Sequence, residues 1–171
     1  MKRLILLRHA KSSWEDSRRE DFDRPLAPRG QRAATAMARY LADEGLAPDL
    51  VLCSASRRTV DTWKRLARAL GGTVAVRIEP DLYLAEAHAL LDRVRAAPAE
   101  ASSVLLIAHN PGMHALARFL VGKGDDDALA RLAAKFPTAA LAVIDFDGAQ
   151  WAGLGRHKGR LERFVTPKDL D

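Results

Sequence analysis

Apolar residues fall along this chain in two kinds of run. Short unbroken runs at Leu4–Leu7, Leu50–Cys53, Val104–Ala108 and Leu141–Ile144 are bounded by polar or turn residues, the signature of strands buried on both faces. Val74-Ala75-Val76 with Ile78 predicts another strand, and Leu161–Val165 one that would pair antiparallel at a sheet edge. Between them the period changes. From Arg29 to Asp43, Ala33, Met37, Tyr40 and Leu41 recur at helical spacing, with Pro28 suited to the first turn and Gly45 as the stop. Ser54, or better Ser56, caps a second helix reaching about Leu70 before the Gly71-Gly72 turn. A third helix covers about Glu86–Ala97. A fourth follows His109-Asn110-Pro111-Gly112 with Met113, Leu116, Ala117 and Leu120 on one face, and Gly122-Lys123-Gly124 breaks it. Residues 15–27 and Glu79–Leu84 read as loops. Strands alternating with such helices predict an α/β fold: a three-layer α/β/α sandwich with a mostly parallel sheet, one domain over residues 1–171.

Composition narrows the function classes. The chain is 48% hydrophobic and 29% charged, ordinary for a globular domain. No apolar run approaches the roughly 18 residues of a membrane span. The apolar stretch after Met1-Lys2-Arg3 is shorter than a signal-peptide core of about 7–15 residues. The single Cys53 has no internal disulfide partner, so a cytoplasmic protein without a membrane partner is expected. The net charge of +5 favours anionic partners. Its 27 Lys and Arg are scattered and do not interleave with aromatics, which argues for phosphorylated groups rather than nucleic acid.

The candidate chemistry lies at the ends of the predicted strands, where ligands collect in α/β proteins. The first strand runs into Arg8 and His9. An imidazole is a usable nucleophile near neutral pH, and a guanidinium grips a phosphate through a planar fork. The second strand leads into Ser54-Ala55-Ser56-Arg57-Arg58-Thr59 at a helix start, where backbone N–H groups favour an anion. The strand ending at Ala108 delivers His109 at another helix start. Two histidines, several arginines and two helix N-termini at neighbouring strand ends predict a phosphate site.

These residues resemble a known family. Arg8-His9-Ala10-Lys11-Ser12 is similar to the RHG/RHA signature of the histidine phosphatase (phosphoglycerate mutase-like) superfamily, and the likeness extends in order to about residue 146. The resemblance implies that His9 is the nucleophile and Arg8 a phosphate-binding arginine. Ser54, Arg58 and Thr62 fit the S-x-x-x-R-x-x-x-T segment, so Arg58 rather than Arg57 falls on the second arginine. His109 in His109-Asn110-Pro111-Gly112 matches the second histidine. The motifs are most similar to the SixA-like branch, which implies hydrolysis of phosphohistidine on a signalling protein; a phosphatase of small phosphate esters is the alternative. The expected catalytic residues are His9, Arg8, Arg58 and His109, with Arg8, Ser12, Arg58 and a protonated His109 binding substrate, and no metal or other cofactor. Other members carry an acidic proton donor after the third strand. Here that position falls on Leu84, with Asp81 and Glu86 nearby but off register.

The remaining candidates are structural. His109 and His114 are five apart rather than the four of a zinc-binding pair. Asp125-Asp126-Asp127 suits a helix N-terminus. Cys53 inside an apolar strand is expected to be buried and inert, and Trp63 to pack in a helix interface.

Overall fold

A computed structural model describes residues 1–171. Seven strands form one sheet: β1 (Lys2–Arg8), β2 (Leu50–Ser54), β3 (Ala75–Glu79), β4 (Ser103–Ala108), β5 (Val121–Gly124), β6 (Leu141–Phe146) and β7 (Gly159–Val165), in the order β3-β2-β4-β1-β6-β7-β5. The first four neighbours are parallel, β6 is antiparallel to β1, β7 is antiparallel to β6, and β5 is parallel to β7.

The unbroken apolar runs follow from helices on both faces. Along β1, Ile5 and Leu7 pack under α1 (Pro28–Asp43) and α2 (Arg57–Leu70), against Met37, Leu41, Trp63 and Leu66. Leu4 and Leu6 face the other way, into a core with Leu90 and Val94 of α3 (Ala87–Arg95), Met113 and Leu116 of α4 (Gly112–Leu120) and Leu132 of α5 (Asp126–Ala134). Successive strand residues alternate faces, so a strand covered on both sides must be apolar throughout. Burying each of these side chains contributes about 1.5–3 kcal/mol.

Two expectations change. Gly122-Lys123-Gly124 does not merely end α4 but belongs to β5, a four-residue edge strand with no apolar pattern. A side chain at Gly122 would overlap the His157 carbonyl, so only glycine allows that approach. The strand expected at Leu161–Val165 is antiparallel to β6, but β5 covers its outer side and takes the edge. Asp125 caps α5 by accepting from the Ala128 N–H. No helix is long and apolar enough to cross a membrane.

Candidate active site

Because β2, β4 and β1 are adjacent and parallel, their C-terminal ends open side by side. Arg8 closes β1 and His9 follows it, Ser54 closes β2, and His109 follows β4. Arg58 lies in the first turn of α2, which is separated from β2 by Ala55 and Ser56 alone. The segment after His9 is pinned to α1. Ala27 N–H donates to the Lys11 carbonyl, and Gly30 leaves room for that carbonyl against the first helical turn.

Hydrogen bonding sets the tautomer of each imidazole. His9 Nδ1 lies 2.8 Å from the Ala10 carbonyl, which can only accept, so Nδ1 carries the proton and Nε2 keeps its lone pair. Nε2 has no hydrogen-bond partner, yet the only fully buried unpartnered side-chain nitrogens are Arg8 Nε and Arg58 Nε. It therefore stays reachable although the residue is only 7% exposed. Ala10 is itself fixed, its N–H donating to Thr62 Oγ1, and that hydroxyl donates to the Arg58 carbonyl. In His109 the pattern is reversed. Arg58 Nη2 stands 3.5 Å from Nδ1 and can only donate, so Nε2 holds the proton and gives it to Ser54 Oγ at 2.7 Å. The two rings lie side by side, tilted by 51° with centroids 5.3 Å apart.

Burial and clustered positive charge set the electrostatics of the site. Burial and the neighbouring Arg58 lower the Arg8 pKa. Burial, outweighing the Ala10 carbonyl, brings His9 down to about 3. Burial and then Arg58 bring His109 down to about 4. Burial first, and then the neighbouring guanidinium groups, favour the neutral form of His109 over the expected protonated one. Buried N–H groups are rarely left unpaired, and a phosphoryl group would bring acceptors for Arg8 Nε and Arg58 Nε.

Arg57 projects to the surface and pairs with Asp61, while Arg58 is 96% buried beside His109. Arg8 Nη1 donates to the Phe136 carbonyl, which also accepts from Asn110 Nδ2. Ser12 is buried, but its hydroxyl accepts from Arg24 and has no contact with Arg8, His9, Arg58 or His109. Asp81 and Glu86 are exposed and bond to none of these residues. Leu84 is exposed, with a left-handed φ of 52°. Cys53 is buried, and burial pushes its thiol up to about 12. No group of three or more His, Cys, Asp or Glu is placed to hold a metal ion.

Two members of the cluster escape the sequence reading. Asp21 accepts from Arg58 Nη2 at 3.0 Å and from Arg24 Nη1 at 2.9 Å, and its backbone carbonyl accepts from Arg58 Nη1 at 2.7 Å. Tyr83 donates its hydroxyl to the same carboxylate and lies edge-on to His109, centroids 5.4 Å apart. Burial works against the ionised form of Asp21, but the hydrogen bonds from Tyr83, Arg24 and Arg58 outweigh it and hold the carboxyl well below the usual range. The one carboxylate in contact with the site is thus an anion that anchors Arg58.

The family model for the histidine phosphatase superfamily (branch 1) matches residues 4–87, the span that holds Arg8, His9 and Arg58. An uncharacterised protein of Mycobacterium leprae is 33% identical over 166 residues, covering 95% of this chain and all of that protein. The chain belongs to the histidine phosphatase superfamily. Among its solved members, a crystal structure from Agrobacterium tumefaciens that carries the provisional name phosphohistidine phosphatase SixA is 34% identical, with a TM-score of 0.83 over 97% of this chain and 98% of that one. A structure from Nakamurella multipartitia under the same provisional name is 33% identical, with a TM-score of 0.83 over 97% and 96% of the two chains. Histidine phosphatases are hydrolases, which fits a pocket of two imidazoles and two guanidinium groups.

Proposed function

We propose that this histidine phosphatase hydrolyses phosphohistidine on another protein, with His9 as nucleophile and residues 1–171 acting as one catalytic domain. The observation that carries the reading is His9 itself: Nδ1 is committed to the Ala10 carbonyl, which leaves an unprotonated, reachable Nε2 between two arginines. In the first step Nε2 bonds to phosphorus as the substrate P–N bond breaks. The departing imidazole takes a proton on its far nitrogen and leaves neutral. Arg8 and Arg58 hold the equatorial oxygens, where charge spreads in the transition state. His109 Nδ1 gains a proton as the phosphoryl dianion arrives and donates to one of those oxygens. Water then attacks phospho-His9, and phosphate and free His9 are released.

The choice of substrate rests on proton supply. An alkyl phosphate leaves as a strongly basic alkoxide unless an acid protonates it, a service worth about 10²–10⁴ in rate. Asp21 is held ionised, Asp81 and Glu86 lie outside the cluster, and Leu84 has no proton to give. Phosphohistidine needs no such donor. kcat/KM should rank phosphohistidine first, an aryl phosphate next, and phosphoserine or sugar phosphates far behind, with turnover undiminished in excess chelator. Alkyl esters turned over as fast as phosphohistidine, with activity lost in Asp21→Asn, Asp81→Asn or Glu86→Gln, would move the reading to a small-ester phosphatase.

A further inference from the structure

Eight of the 27 Lys and Arg gather on one helical layer. Outside the catalytic Arg58, α1 and α2 carry Arg29, Arg32, Arg39, Arg57, Lys64, Arg65 and Arg68 against only Asp43 and Asp61. That balance of +5 on one helical layer equals the net charge of the whole chain. Ion pairing sharpens the contrast. Elsewhere Arg3, Arg18, Arg19, Arg24, Arg93, Arg131, Arg160 and Arg163 each meet an acidic partner. On this layer, apart from Arg58 with Asp21, only Arg57 does.

The unpaired cations border a groove. Arg32 and Arg39, with Gln31 and Thr35, line a trough of about 440 Å³ along α1, bordered by Arg65 of α2. Arg65 is held over it by Gln31 Oε1 at 3.1 Å and Thr35 Oγ1 at 3.4 Å, neutral acceptors that orient the guanidinium and leave its charge uncompensated. Arg32 and Arg39 are seven residues apart on α1, two turns or about 10.5 Å. Both helices begin at the catalytic edge of the sheet: α2 carries Arg58 in its first turn, and Gly30 of α1 abuts Lys11, two residues beyond His9.

We propose that this groove docks an acidic helix of the phosphoprotein whose phosphohistidine enters the site. The inference rests on the phosphohistidine reading and adds the surface that would select the carrier protein. Carboxylates two turns apart on a helix repeat at the spacing of Arg32 and Arg39, and a helix lying along this trough follows α1 towards its first turn, which abuts the segment after His9. A protein partner fits better than nucleic acid because the layer offers no stacking platform: the exposed large hydrophobic residues, Met1, Trp14, Ile78 and Leu84, all lie off α1 and α2. Contacts of this kind govern encounter and register more than chemistry, so they should appear in KM and in salt dependence.

The test compares two synthetic helical peptides carrying one N-phosphorylated histidine, one with Glu at positions two turns apart and one with Gln there. Free phosphohistidine is the third substrate. The acidic peptide should show a kcat/KM higher by about fivefold to tenfold, an advantage carried by KM and abolished by a few hundred millimolar salt. Arg32→Glu/Arg39→Glu should erase the advantage and leave turnover of free phosphohistidine unchanged. Equal kcat/KM for the two peptides overturns the groove while leaving the phosphohistidine reading intact. Failure on all three phosphohistidine substrates overturns that reading instead, and the groove is then decided by fluorescence anisotropy with the unphosphorylated peptides. Binding that prefers the acidic peptide and is lost in the double variant supports it. A short DNA duplex that binds more tightly than the acidic peptide overturns it.

Discussion

Arg58 reaches Asp21 twice, Nη2 to the carboxylate at 3.0 Å and Nη1 to the backbone carbonyl at 2.7 Å, across 37 residues of sequence. The guanidinium that faces His109 is therefore set by a loop as well as by its own helix. Asp21→Asn should loosen it. The carboxylate is partly exposed, so the loss should be modest, about 1 kcal/mol or roughly fivefold in kcat/KM. Asp21 also works to raise the His109 pKa against burial and Arg58, so the same variant should lower that pKa further, readable by NMR titration.

The two adjacent arginines should separate cleanly. Arg58→Ala removes a buried clamp on the transferring group and should cost about 3 kcal/mol or more in transition-state binding. Arg57→Ala removes an exposed pair with Asp61 and should cost under about 1 kcal/mol. Steady-state kinetics on both variants decide it. Equal losses would contradict the assignment of the clamp to Arg58.

The depressed histidines fix a pH signature. In the unfolded chain both titrate near 6.5, whereas burial lowers His9 to about 3 and His109 to about 4 in the folded protein. Between these limits the unfolded state binds more protons, so stability rises with pH there. The contribution is complete above about 6.5 and is lost as pH falls towards 3. Thermal denaturation from pH 7 to 3 should show the decline, and His9→Gln and His109→Gln should each flatten it. A bound oxyanion should act the other way on His109. Vanadate, a mimic of five-coordinate phosphorus, should inhibit and should raise the His109 titration point.

Much of this site is legible in the chain because its strands are read so easily. Leu4–Leu7 and Val104–Ala108 read as strands buried on both faces, and the structure has them so, with Arg8, His9 and His109 at their ends. Arg58 is told from Arg57 only through the resemblance of Ser54, Arg58 and Thr62 to the family segment; in the structure the helical period turns Arg58 inward and Arg57 outward. Asp21 and Tyr83 escape such a reading because each sits in a short irregular segment without apolar period, and they meet each other across 62 residues of sequence only through the tertiary fold. Arg24 was hidden in the same way, its guanidinium stacked 3.1 Å over the exposed Trp14 ring. β5 was missed because glycine and lysine in a four-residue edge strand carry no apolar alternation. The cationic layer was missed because α1 and α2 are separated in sequence and meet only when both cover the same sheet face.

The central claim is that the phosphoryl group passes through His9. It is tested most directly by trapping the enzyme during turnover of a labelled phosphohistidine or aryl phosphate and mapping the labelled residue. The account predicts one label, on His9, that is lost in acid and stable in base as a P–N bond requires, and that disappears together with turnover in His9→Ala. Turnover persisting in His9→Ala, or a label on any other residue, would contradict it.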